Sequence, residues 1–210
     1  MSVRLAAGPL GPEELADWYA APRPAWVRAG FVTTLDGRVT GADGRSGSLN
    51  AGSPGDHAVF GALREWADVV VVGAGTARAE GYAPLSTSPL VVVARAVAEV
   101  PEELREVEDV LVVDGGGQDV EAEQVLALLR DHGWVRVLLE GGPELFASWV
   151  GQGVVDELCV TVRPVLAGGS GPLLQPLRSN GGGSSGPDLL GRATHLLEWE
   201  GDLLVRTRLR

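Results

Sequence analysis

Two short stretches carry residues whose types and spacing suit binding chemistry. The first is Val69-Val70-Val71-Val72-Gly73-Ala74-Gly75-Thr76. Four β-branched residues in a row cannot all face water, so they read as a strand buried on both faces, as in a parallel sheet. The run breaks at Gly73 and Gly75, where bare main chain is able to approach a phosphate. The second stretch, Val135 to Leu139, runs into Glu140-Gly141-Gly142-Pro143. Pro143 suits the first turn of a helix, and amides at a helix start favour an anion. Gly-x-Gly after a strand also occurs as a plain turn, and the third glycine of the full dinucleotide fingerprint is replaced by Arg78. Two such strand ends in one small domain point to a shared crevice for a dinucleotide.

The elements that must position these residues follow from the hydrophobic pattern. Trp26 to Leu35 reads as the first strand, closed by the turn pair Asp36-Gly37. A long polar, Gly-rich loop covers 41 to 55. Ser53-Pro54 starts a helix whose Val59, Phe60, Leu63 and Trp66 recur at helical spacing. Buried strands are expected at Val69–Val72, Leu90–Val93, Val110–Val113 and Val135–Leu139. Helices are expected over Pro101–Leu104, Val120–His132 and Pro143–Val150, whereas Ala77 to Leu85 reads as a loop with one helical turn. The alternation argues for a mainly parallel α/β sheet. Thr194–Trp199 and Leu203–Leu209 read as an antiparallel hairpin around Gly201-Asp202. Residues 1–25, with a short helix at Pro12–Tyr19, read as an arm packed on a single domain spanning 26–210.

Bulk composition narrows the function. The 210 residues are 45% hydrophobic, enough for one core, with 30 glycines and 13 prolines. No apolar run is long enough for a membrane span, and no export signal is evident. A lone cysteine, Cys159, excludes an intrachain disulfide and fits a cytoplasmic protein. The net charge is −11 and every basic residue is an arginine, which disfavours nucleic acid or an anionic membrane as partner. His57, His132, His195 and Cys159 cannot supply a zinc-deaminase site, and no other cluster has metal-ligand spacing, so no metal is expected.

Taken in order, several motifs resemble the reductase-domain family of bacterial riboflavin biosynthesis, which has a dihydrofolate-reductase-like fold. They are Thr34-Leu35-Asp36-Gly37-Arg38, Leu63-Arg64 through Ala67-Asp68 into Val72-Gly73-Ala74-Gly75-Thr76, Leu139-Glu140-Gly141-Gly142-Pro143, Val155-Asp156-Glu157-Leu158 and Arg163-Pro164-Val165-Leu166-Ala167-Gly168-Gly169. The resemblance implies an NADPH-dependent reduction of a substrate like 5-amino-6-(5-phosphoribosylamino)uracil, by a homodimer that pairs through its C-terminal strands. It implies Asp36 and Glu140 as catalytic residues, and Ser46, Arg64 and Glu140 on the substrate. It places Val32, Gly73, Gly75, Thr76, Glu80, Gly141, Gly142, Gly168 and Gly169 on the cofactor. The chain departs from the family pattern at Ser48, where a tryptophan is common, and over Ala79-Glu80-Gly81-Tyr82. Both departures lie on the substrate side. A reductase of a pterin or dihydrofolate, a deazaflavin donor, and a non-catalytic dimeric nucleotide-binding protein therefore stay open.

Overall fold

A computed structural model of the chain describes residues 2–168 and 189–210. In chain order the elements are β1 (Arg4–Ala7), α1 (Pro12–Trp18), β2 (Trp26–Thr34), α2 (Gly47–Asn50), α3 (Pro54–Trp66), β3 (Val69–Gly73) and α4 (Ala74–Glu80). They continue with β4 (Leu90–Ala94), α5 (Glu102–Arg105), β5 (Val110–Asp114), α6 (Ala122–Asp131), β6 (Arg136–Leu139), α7 (Pro143–Gly151), β7 (Glu157–Arg163), β8 (Arg192–Trp199) and β9 (Asp202–Arg208). The described strands form one sheet in the order β1-β8-β9-β7-β2-β6-β3-β4-β5. All pairings are parallel except β7 with β9 and β8 with β9. The sheet is thus mainly parallel with antiparallel C-terminal strands, as the alternation predicts.

The four valines of β3 show why the sheet is covered on both sides. All are fully buried. Val70 and Val72 join a core with Leu15 and Trp18 of α1, Val59 and Leu63 of α3, and Ala74 and Ala77 of α4. Val69 and Val71 face the opposite way, into Ala122, Val125 and Leu129 of α6 and Phe146 and Trp149 of α7. Period-two alternation sends neighbouring side chains to opposite faces, so an unbroken apolar run needs helices on both. Burying each valine is worth about 1.5 kcal/mol or more.

Three local features differ from the sequence reading. The segment after β3 is a helix from Ala74 to Glu80, not a loop with one turn. It stops where Gly81 takes a left-handed conformation with φ 70°. The hairpin turn is Glu200-Gly201, with φ of 51° and 88°, one residue earlier than expected. Within the N-terminal segment, Arg4–Ala7 pairs with His195–Glu198 as an edge strand, and Leu15, Trp18 and Tyr19 are buried. A fully buried ion group ties this segment down. Arg28 Nε and Arg206 Nε each donate to Glu157, both at 2.6 Å, while Arg28 Nη2 donates to the Tyr19 carbonyl at 2.8 Å. Removing one member would leave an uncompensated buried charge.

Candidate active site

Parallel strands end on the same edge of a sheet, and β3 and β6 are neighbours there. Their glycines therefore meet: Gly73 N–H donates to the Gly141 carbonyl at 2.7 Å. A Cβ at Gly142 would lie 2.3 Å from Thr76 Oγ1, so the two turns touch only because no side chain stands between them. A Cβ at Gly75, by contrast, would meet nothing within 4 Å. Its main chain borders open space, a cleft of about 750 Å³. Gly73, Gly75 and Thr76 form one wall, the first turn of α7 from Pro143 to Leu145 another, and Ala94 and Arg95 after β4 close it.

A second cleft of about 390 Å³ adjoins the first and shares Thr76, Gly142 and Pro143 with it. Phe31, Val39 and Phe60 supply apolar surface, and Arg64, Tyr82 and Glu140 supply polar groups. Glu140, at the end of β6, has a fully buried side chain. Its Oε1 accepts from Arg64 Nε at 2.7 Å, and its Oε2 from Arg64 Nη2 at 2.7 Å and Tyr82 Oη at 2.6 Å. This is the bidentate fork that a planar guanidinium makes with a carboxylate. The bonds to Glu140 raise the Arg64 pKa further. Burial first, then the Glu140 charge, pushes the Tyr82 hydroxyl well above its usual 10, so it keeps its proton and donates.

The RibD C-terminal domain model matches residues 25–181, well over half the chain. The chain belongs to this family. Riboflavin biosynthesis protein RibD of Mycobacterium tuberculosis is 28% identical over 183 residues, covering 80% of this chain and 50% of that protein. The chain thus spans about half the length of the curated relatives it matches. A pyrimidine reductase-like protein from Corynebacterium diphtheriae superposes with a TM-score of 0.71 at 19% identity, covering 93% of this chain and 98% of that one. Dihydrofolate reductase from Enterococcus faecalis, solved with NADP(H), gives a TM-score of 0.58 at 17% identity over 88% of this chain and 97% of that one. The fold is dihydrofolate-reductase-like.

Within this RibD C-terminal domain chain, the residues singled out from sequence separate into three groups. Gly73, Gly75 and Thr76 line the larger cleft; Gly142 and Thr76 line both; Gly141, at φ 100°, packs its backbone against Phe31. Ser46, Arg64, Glu140, Val32 and Glu80 line the smaller cleft. The Glu80 carboxylate accepts from Ser46 N–H at 2.6 Å. Asp36 lines neither cleft. Its carboxylate accepts from Thr34 Oγ1 and from the amides of Ala167 and Gly168, at 2.6, 3.1 and 3.0 Å. Those bonds, Thr34 first, lower its pKa to about 2. Gly168 is thereby tied to the turn after β2, and Gly169 lies outside the described residues.

Sequence reasoning missed Tyr82, Asp56 and Asn50 as cleft residues. Tyr82 sits in the segment that departs from the family pattern. The left-handed Gly81 turns the chain so that Tyr82 N–H reaches the Ala77 carbonyl at 2.9 Å and the ring points back to Glu140. The signal was a glycine followed by an aromatic residue. Among the described residues there is no cluster with the make-up of a metal site and no helix long and apolar enough to cross a membrane.

Proposed function

We propose that the chain is an NADPH-dependent reductase acting on a ribosylaminopyrimidine 5′-phosphate in riboflavin biosynthesis. The observation that carries this reading is the junction at Thr76, Gly142 and Pro143, where a main-chain-lined cleft of dinucleotide size opens into a smaller one with polar side chains. Membership of the RibD C-terminal domain family and the fold shared with a dihydrofolate reductase support it.

The residues present fit a dinucleotide. The space beside Gly75 is open, the larger cleft has the volume of a small-molecule site, and the first-turn amides of α7 border it. Gly73, Gly75 and that first turn would hold the phosphates, with Thr76 and Gly142 at the junction. NADPH, when bound, supplies the hydride. The protein's own task is then position and electrostatics. Arg64 holds Glu140 in one orientation with two bonds, and Tyr82 adds a third. Among the described residues, Arg64 Nη1 and the outer proton of Nη2 are the donors left for a substrate oxygen. Phe31 and Phe60 offer flat surface for a ring.

The reading includes a single reductase domain in a cytoplasmic homodimer. Leu158 and Val160 of β7, Leu203 and Val205 of β9 and Leu196 of β8 lie on one side of the antiparallel strands, half-buried or exposed. An apolar sheet face of this kind suits a second copy. Val205→Arg should then shift the mass in solution to that of a monomer.

The deciding measurement is NADPH oxidation with the ribosylaminopyrimidine phosphate and with dihydrofolate side by side. Turnover of the pyrimidine alone is expected. Turnover of dihydrofolate alone would move the chain to pterin reduction, and tight NADPH binding without any turnover would favour a nucleotide-binding role. A reduced deazaflavin run in parallel separates the two donors.

A further inference from the structure

One wall of the smaller cleft is held from behind by the C-terminal hairpin. Asn50, the last residue of α2, and Asp56, in the first turn of α3, both line the cleft. Ser53 lies between them, buried, and caps α3 by accepting from the Asp56 N–H at 3.2 Å. Its hydroxyl donates to Asp202 Oδ2 at 2.5 Å. The other oxygen of that carboxylate, Oδ1, pairs with Arg163 Nε at 2.7 Å, and Arg163 Nη1 donates to the Leu49 carbonyl at 2.6 Å. One buried carboxylate at the start of β9 thus fixes both ends of residues 49–53. On the other side of the same hairpin turn, Trp199 closes on Gly55, where a Cβ would lie 2.9 Å from it. Ser53, Arg163 and Asp202 border neither cleft, and β8 and β9 lie beyond the matched residues 25–181.

We infer that Asp202 is a positioning residue for the substrate side of the site, acting through Ser53 and Arg163. The inference rests on the proposed reductase reading and adds to it a control exerted by the C-terminal hairpin. A hydroxyl has one proton and two lone pairs. With its proton drawn to Asp202, Ser53 presents only lone pairs to the α3 amides, which sets where the first turn of α3 begins. At 2.5 Å the bond to Asp202 is a charge-assisted one, about twice as strong as a neutral bond. Asn50 Nδ2 donates to Asp56 Oδ2 at 3.1 Å, so a shift at either end of the segment moves both cleft residues. A misplacement of about 1 Å is enough to cost about 100-fold in rate. The larger cleft takes no residue from this segment, so the cofactor side is independent of Asp202.

The test measures kcat and KM for the ribosylaminopyrimidine 5′-phosphate, and NADPH affinity by fluorescence titration, well below the unfolding temperature. Wild type, Asp202→Asn, Ser53→Ala and the double variant are compared. Asparagine keeps the shape of aspartate without its charge. Asp202→Asn should lower kcat/KM for the pyrimidine by roughly 10- to 100-fold while NADPH affinity stays within about twofold. Ser53→Ala should give the same split with the pair of Asp202 and Arg163 intact, and it carries the test alone where Asp202→Asn does not fold. The double variant should lose no more than the worse single one, because both act through one hydroxyl. A lowered melting temperature with unchanged kinetic constants, equal losses for pyrimidine and NADPH, or additive losses in the double variant each overturn the inference while leaving the reductase reading intact. Turnover of no pyrimidine by the wild type sinks the reductase reading. Calorimetric binding of the same compound then decides on Asp202: binding weakened in Asp202→Asn with NADPH affinity kept sustains its role, and unchanged or absent binding ends it.

Discussion

Arg64 and Glu140 meet in a two-point ion pair, Nε to Oε1 and Nη2 to Oε2, both 2.7 Å, across 76 residues of chain. One sits in the last turn of α3 and the other just past β6. The Glu140 side chain is fully buried, while Arg64 keeps 28% of its side chain exposed toward the cleft. The pair therefore joins two elements and leaves one side of the guanidinium facing the smaller cleft.

Breaking this pair should cost both fold and function. Arg64→Ala leaves Glu140 buried without its cation, and a loss of about 3–5 kcal/mol is expected in urea unfolding. The double variant Arg64→Met, Glu140→Leu should recover most of that loss but none of the activity. Arg64→Ala should also weaken a phosphorylated substrate more than its dephosphorylated form, read as the change in kcat/KM. Equal losses for both would remove Arg64 from phosphate recognition.

The glycines of the larger cleft should separate binding from folding. Gly75→Val places a side chain in open space, so melting temperature should hold while NADPH affinity falls by at least about tenfold, near 1.4 kcal/mol. Gly142→Ala forces its Cβ onto Thr76 Oγ1 and should lower the melting temperature instead. Unchanged NADPH affinity in Gly75→Val would refute the placement of the phosphates.

Asp36 was expected to be catalytic, and its position supports a holding role that we put to test. It grips the Ala167 and Gly168 amides and borders neither cleft. Asp36→Asn should then lower stability more than kcat. Its pKa of about 2 lies below the usual 3.8, so its contribution to stability is complete above pH 3.8 and disappears as pH falls toward 2. A kcat loss of several orders of magnitude in a fully folded Asp36→Asn would restore the catalytic assignment.

His195 sets a second pH window. Desolvation first, then the charges of Arg206 and Arg4, lower its pKa from 6.5 to about 4. The folded chain thus binds fewer protons than the unfolded chain between those values. Stability should be complete above pH 6.5 and decline as pH drops through 4. His195→Gln should flatten the melting temperature over that range; an unaltered slope would assign the decline to other groups.

Sequence alone determined the elements whose pattern is local. The valine run of β3 must be buried on both faces whatever surrounds it, and Pro143 after two glycines opens a helix. These signals placed the parallel sheet, both glycine turns and the family motifs. What the linear order leaves open is which strand lies beside which, because that depends on crossovers dozens of residues long. Only the tertiary structure set β6 next to β3 and so brought Gly73 to Gly141. The same folding turned Arg64 and Glu140, each readable as a substrate residue, into partners of one another. It put the Glu80 carboxylate against the Ser46 amide, 34 residues away, since a side chain's partners come from elements remote in sequence and compete for the same few donors.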